Sequence, residues 1–206
     1  MKRRVIGEGQ PNAPSERRVS MDNGASSYRR FREQGDESGL VEIIQEYRDG
    51  LILYLGSIVG DLFLAEELAE DTFVYLGTKK PKDKGIGSFK TWLYTMGRNR
   101  ALGILRRRPP VTECSPEDCP ELASEEFDFA RSFLLEERKA AVHRAMRSLK
   151  PEYRQVLWLV YFEEFTNKEA AFVMKKTVHS VETLLYRARL ALKAQLETEG
   201  FTYEEL

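Results

Sequence analysis

Residues 166–187 read TNKEAAFVMKKTVHSVETLLYR, and their spacing decides the fold of the C-terminal half. Thr166 and Glu169 stand three apart, the pattern of a capping box, in which a threonine oxygen and a glutamate carboxylate satisfy orphan amide donors at a helix start. A short helix is therefore expected through Ala170, Ala171, Val173 and Met174. A polar turn follows at Lys175-Lys176-Thr177, and a longer helix over about residues 178–195. At roughly 100° per residue, Val181, Leu184, Leu185, Ala188 and Leu192 gather on one arc of that helix, with Glu182, Thr183, Tyr186 and Arg187 on the other. This is helix-turn-helix spacing. A plain helical hairpin with a solvated face has the same periodicity; the small Ala170-Ala171 pair, which lets two helices cross closely, favours a recognition unit. Arg187 suits a guanine edge or a phosphate, Glu182 a cytosine amino group, and Tyr186 a thymine methyl or open surface.

Upstream of this unit, Leu134, Ala141, Val142, Ala145 and Leu149 keep a helical period, Lys150-Pro151 breaks it, and Tyr153, Val156, Leu157, Val160 and Tyr161 resume it. Before these, residues 110–128 carry Glu113, Glu117, Asp118, Glu121, Glu125, Glu126 and Asp128 without a lysine or arginine, the composition of an extended acidic linker. A further helical block precedes the linker. Leu40, Ile44, Tyr47, Leu51, Tyr54, Leu55 and Ile58 predict one amphipathic helix, and Ala65, Leu68, Ala69, Thr72, Phe73 and Leu76 a second after Gly60-Asp61. A third is expected from Ser88 to Arg108, where Pro109-Pro110 must end it. Residues 1–27 mix Gly, Pro, Asn, Ser and Arg without apolar periodicity and read as a disordered lead, within which Met21 offers a second start. No alternating strand pattern occurs, so the expected fold is all-α.

The first block holds two charge patterns of opposite sign. Glu67, Glu70 and Asp71 fall at i, i+3 and i+4, crowding carboxylates onto one side of a helix, which fits either a basic partner surface or a solvated face. The third helix carries Lys90, Arg98, Arg100, Arg106, Arg107 and Arg108 with no acidic residue, next to Lys79, Lys80, Lys82 and Lys84 in the preceding loop. Phe89, Trp92 and Tyr94 interleave with these charges as a single-strand surface would require, although Trp92 shares an arc with Phe89, Leu93 and Met96 and also reads as core. This footprint is invisible in the whole chain of 206 residues, where 32 basic and 33 acidic side chains leave a net charge of -1. With 42% hydrophobic residues the chain can bury a real core, and its apolar runs fall far short of the roughly 18 residues that cross a bilayer. A soluble cytoplasmic protein is expected. Two cysteines, Cys114 and Cys119, and two histidines, His143 and His179, make a thin supply of metal ligands. Unspecialised thiols in the linker are the preferred reading over a redox or metal pair, and no metal or cofactor is expected.

Three segments in this order carry a resemblance: Ala65-Glu66-Glu67-Leu68-Ala69-Glu70-Asp71-Thr72-Phe73; Phe89-Lys90-Thr91-Trp92-Leu93-Tyr94 through Arg98-Asn99 to Arg106-Arg107-Arg108; and Leu149-Lys150-Pro151-Glu152-Tyr153-Arg154 running into Tyr186-Arg187-Ala188-Arg189. From about Tyr28 to Leu196 the chain resembles the extracytoplasmic-function (ECF) group of bacterial sigma-70-type RNA polymerase sigma factors. The resemblance implies two small helical domains. They are a region 2-like domain at 28–109 and a region 4-like helix-turn-helix domain at 131–198, joined by an acidic flexible linker at 110–130 and followed by a tail at 199–206. It implies that Glu67, Glu70 and Asp71 grip the beta-prime clamp helices of core RNA polymerase, and that region 4 also meets the beta flap. It further implies that the loop from Lys79 to Ser88, with Lys84, Ser88 and Asn99, captures a base flipped from the minus-ten element, that the third-helix arginines, among them Arg98, Arg106 and Arg107, hold its phosphates, and that Lys90 also meets minus-ten DNA. Lys175, Lys176, Glu182, Thr183, Tyr186 and Arg187 would meet the minus-thirty-five element, and an anti-sigma protein is an implied partner. Four positions depart from the family pattern. Lys175 stands where glycine is usual, Lys176 where an apolar residue is common, and Glu182 and Leu184 where basic residues are frequent.

Two other classes compete on the residues themselves. A helix-turn-helix regulator that is not a polymerase subunit has no evident need for the Glu67, Glu70, Asp71 face. An enzyme is disfavoured because the chain lacks G-x-x-x-x-G-K-[ST], H-E-x-x-H and G-x-S-x-G motifs, and His143 and His179 read as surface or capping residues.

Overall fold

The computed structural model describes residues 23–83, 85, 87–107 and 137–198, with side chains from residue 142 in the last stretch. Its elements are helices throughout: α1 (Asn23–Arg29) with a π-helical turn (Arg30–Gln34), α2 (Glu37–Val59), α3 (Leu62–Lys79), α4 (Phe89–Arg107), α5 (Glu137–Arg147), α6 (Pro151–Leu157) with a second π-helical turn (Trp158–Phe162), α7 (Asn167–Met174) and α8 (Val178–Thr198). No strand occurs among the described residues. The acidic linker with Cys114 and Cys119, the tail from 199, Lys84, and residues 1–22 of the expected lead lie outside the described residues.

Local chemistry sets the boundaries. Asp36 caps α2 by accepting from the Ser38 amide at 3.1 Å, and Asp61 caps α3 by accepting from the Leu64 amide at 3.1 Å. Gly60 separates these helices in the left-handed region, φ 74°, where glycine carries no Cβ penalty. Pro151 opens α6 at its first turn, where its missing amide costs nothing. The capping box expected at Thr166 is present in both halves: the Glu169 amide donates to Thr166 Oγ1 and the Thr166 amide to Glu169 Oε2.

Two expectations give way. The disordered lead was expected to run to Ser27, but Asn23–Ser27 belong to α1. Gly24 explains this, because a Cβ there would stand 2.6 Å from Phe89 Cδ1 and 2.7 Å from Tyr47 Oη; a residue that looks like punctuation is instead what lets α1 close on the core. The helical period through Tyr161 also loosens after Leu157 into the π-helical turn. There Trp158 and Phe162 stack with ring centroids 4.3 Å apart.

In the N-terminal block α2 packs against α1, α3 and α4; in the C-terminal block α8 packs against α5, α6 and α7. The two blocks then close on each other, α4 against α7 and α2 against α6, so that one continuous apolar core runs from Tyr28 to Ala188. Each fully buried Leu or Ile in it contributes about 1.5–3 kcal/mol of transfer free energy.

Candidate nucleic-acid and protein interfaces

Helix α3 turns Ala65, Leu68, Ala69, Thr72, Phe73 and Leu76 into the core, which forces its other side into solvent. Glu67, Glu70 and Asp71 are exposed there, as the spacing predicts. Two apolar residues share that side and were not singled out by sequence: Phe63, 69% exposed, and Val74, 60% exposed. Phe63, Glu67, Glu70 and Val74 fall at i, i+4, i+7 and i+11, one helix face, so the spacing alone would have found them. Glu66 is withdrawn from this face by an ion pair with Arg48 of α2. The result is an apolar strip studded with carboxylates that have no ion-pair partner among the described residues, a surface that suits a basic and partly apolar protein partner.

Ser88 stands just before helix α4; its hydroxyl accepts from the Thr91 amide at 3.2 Å and lies 2.8 Å from Thr91 Oγ1. The residues expected to meet minus-ten DNA divide here into two sets. Ser88, Asn99 and Arg106, at i, i+11 and i+18, lie within about 20° of each other around the helix. Asn99 and Arg106 are exposed, as is Arg107 at the helix end. Lys90 and Arg98, at i and i+8 with Tyr94 between them, face the C-terminal block. Lys90 Nζ lies 2.9 Å from Glu163 Oε2, donates to the Glu163 carbonyl at 2.9 Å, and sits 5.1 Å from the Phe165 ring centroid. Arg98 is only 8% exposed and donates through Nε to Gln155 Oε1 at 3.3 Å.

Glu163 is the centre of this junction, and no sequence signal pointed to it. It also accepts from the Tyr94 hydroxyl at 2.6 Å. Burial, and then the Glu163 charge, push the Tyr94 phenol well above its ordinary pKa, so it stays a donor. Gly50 makes room: a Cβ there would stand 2.6 Å from Tyr94 Oη and 2.7 Å from Glu163 Oε1. Arg154 adds a second tie by donating to the Ser57 carbonyl at 3.2 Å.

The helix-turn-helix forms as expected. Val181, Leu185 and Ala188 are buried, while Glu182, Tyr186 and Arg187 are exposed, Tyr186 by 59%, and Thr183 is half-buried with its hydroxyl on the His179 carbonyl at 3.0 Å. Thr177 caps α8, accepting from the Ser180 amide at 3.1 Å. The two lysines of the turn have separate physical accounts. Lys175 takes the left-handed conformation itself, φ 54°, and the Lys176 amide donates to the Ala171 carbonyl at 3.0 Å, as in a Schellman ending. Lys176 Nζ reaches Glu152 of α6 at 3.1 Å, so a lysine replaces apolar packing with an ion pair. Beyond the recognition face, Val142, Met146, Tyr161, Phe162, Leu192 and Leu196 line an apolar groove between α5 and α8.

Among the described residues, no group of three or more His, Cys, Asp or Glu could hold a metal ion, and no helix is long and apolar enough to cross a membrane.

Two family models match the chain: sigma-70 region 2 over residues 43–109 and sigma-70 region 4 over residues 139–192. The RNA polymerase sigma-H factor of Pseudomonas aeruginosa is 27% identical over 173 residues, spanning 80% of this chain and 90% of the relative. The RNA polymerase sigma factor YlaC of Bacillus subtilis is 28% identical over 158 residues, spanning 75% of this chain and 90% of the relative. Among solved structures, CnrH in complex with the cytosolic domain of CnrY shares the fold with a TM-score of 0.58 at 20% identity, covering 85% of this chain and 96% of that one. The sigma factor RpoE from Bartonella quintana, in complex with the anti-sigma factor NepR, does so with a TM-score of 0.56 at 18% identity, covering 76% of this chain and 95% of that one.

Proposed function

The chain belongs to the extracytoplasmic-function group of the sigma-70 family, and we propose that three surfaces divide its work in promoter-directed initiation. The exposed face of α3, with Glu67, Glu70 and Asp71, takes the basic clamp helices of beta-prime, and Phe63 and Val74 add apolar contact. The loop between α3 and α4, with Ser88 and Asn99, captures a base from the melted minus-ten strand, and Arg106 and Arg107 hold phosphates beside it. The exposed face of α8, with Glu182, Thr183, Tyr186 and Arg187, enters the major groove of the minus-thirty-five element, and Lys175 meets its backbone. The apolar groove between α5 and α8 is the surface available to the beta flap.

Lys90 and Arg98 enter differently. While Glu163 and Gln155 hold them, they are not free to bind phosphate, so they join the minus-ten interface only when the C-terminal block swings away from α4. An anti-sigma protein is a further expected partner, in line with the NepR-bound RpoE of Bartonella quintana.

The observation that carries this reading over a stand-alone regulator is the exposed acidic and apolar face of α3 in the same chain as a helix-turn-helix. Runoff transcription with bacterial core polymerase on a pool of promoter fragments tests it. Wild-type protein yields promoter-specific transcripts, and Glu70→Lys/Asp71→Lys abolishes them by at least about a hundredfold through loss of core binding. A protein that binds a defined duplex but neither associates with core nor yields a transcript would return the chain to the regulator class.

A further inference from the structure

We propose that Tyr28, which lies outside the stretch 43–109 matched to sigma-70 region 2, is the positioning residue that holds the base-capturing loop in shape. The proposal rests on the reading of that loop given above, and it concerns how a loop of this composition is made rigid enough to grip a base. The loop leaves α3 at Lys80, in the left-handed region at φ 44°, and contains Gly85 at φ 66° and Gly87 at φ 100°. Such a backbone has many alternatives, and a pocket built on it discriminates only if its ends are fixed by the rigid body beneath.

Tyr28 fixes both ends at once. Its hydroxyl donates to the Pro81 carbonyl at 2.5 Å, where the loop departs. Its ring packs 5.5 Å from the Phe89 centroid and 5.4 Å from that of Trp92, where the loop returns into α4. The ring is buried, and burial raises the phenol to about 12, so the hydroxyl remains a donor throughout the physiological range. Lesser braces come from the same N-terminal segment. Arg32 Nε donates to the Lys80 carbonyl at 3.3 Å, and Lys80 Nζ sits 4.4 Å from the Phe31 ring centroid. Within the loop, Asp83 Oδ1 accepts from the Gly85 amide at 2.9 Å.

The consequence is specific: Tyr28 touches no DNA, yet base capture depends on its hydroxyl. The test uses full-length protein assembled with core polymerase. The probe is a labelled single strand carrying the non-template minus-ten segment of a promoter returned by the runoff assay, compared with the same strand bearing one abasic site walked through it. In wild type one abasic position weakens binding most, and that loss measures base capture. Tyr28→Phe keeps the ring packing and removes one hydrogen bond. It lowers the intact-to-abasic affinity ratio at that position about fivefold and leaves binding of the abasic strand unchanged. Arg32→Ala, which spares the buried ring, lowers the ratio by about twofold and serves if Tyr28→Phe does not fold. An unchanged ratio in the variants overturns the proposal, as does an equal loss on intact and abasic strands, which is what a merely structural tyrosine would give. If no abasic position matters in wild type, the base-capture reading itself fails and takes this proposal with it.

Discussion

Helices α4 and α8 both carry cationic residues on a face expected to meet DNA, and the protein treats the two faces in opposite ways. On α8, Tyr186 and Arg187 stand in solvent, because α5, α6 and α7 cover only the opposite arc of Val181, Leu185 and Ala188. On α4, Lys90 and Arg98 are already engaged by Glu163 and Gln155 of the other block, whereas Asn99, Arg106 and Arg107 remain exposed. The difference lies in what packs against each helix, since the side chains are of the same kind. A buried or half-buried cation with a carboxylate or amide oxygen as partner is a structural tie; the same cation in solvent is available to a phosphate or a base.

Breaking the tie should produce the larger effect. Glu163→Ala leaves the Tyr94 hydroxyl, the Lys90 ammonium and the space beside Gly50 without their carboxylate. Urea unfolding of the full chain should show a loss of about 2–3 kcal/mol, short of the value for a wholly buried pair because Lys90 is partly exposed. A loss below about 0.5 kcal/mol would mean that the blocks are not held through this residue.

The matching experiment on α8 should affect binding alone. Arg187→Ala removes an exposed side chain that makes no hydrogen bond or ion pair among the described residues, so stability should stay within about 0.5 kcal/mol of wild type. Affinity of the full chain's holoenzyme for a minus-thirty-five duplex should fall about tenfold, the scale of a single base or phosphate interaction. A stability loss without a binding loss, read by the same unfolding curve and a duplex titration, would invert the contrast between the helices.

The contrast also explains which parts of the molecule were legible in the sequence. The α8 face was readable because an exposed face and a core face alternate with the helical period, and Val181 to Ala188 obey it without interference. The same holds for α3, where the period would also have yielded Phe63 and Val74. The division of α4 was not readable. Lys90 and Arg98 differ from Asn99 and Arg106 only through residues 57 to 73 positions away, Gln155 and Glu163, and no local pattern reports that pairing. Helix α1 was hidden for a related reason. Its burial rests on Gly24 meeting Tyr47 and Phe89, so a residue that signals a turn locally serves a close approach globally.

The turn of the helix-turn-helix offers the smallest and sharpest comparison, because two adjacent lysines there have different tasks. Lys176 is tied to Glu152, whereas Lys175 is exposed and holds a left-handed backbone at φ 54°. A non-glycine residue in that conformation costs about 1–2 kcal/mol, and glycine returns about 0.5–1 kcal/mol of that through the greater freedom of its unfolded chain. Lys175→Gly should therefore stabilise the protein by roughly 0.5–1 kcal/mol in urea unfolding. If Lys175 meets the DNA backbone, the same variant should bind the minus-thirty-five duplex with a log-log salt slope shallower by about 1, the signature of one fewer neutralised phosphate. A more stable protein with a shallower slope would show that the lysine is kept at the turn for its charge at the expense of backbone strain. An unchanged slope would leave the strained backbone without that function and remove Lys175 from the interface.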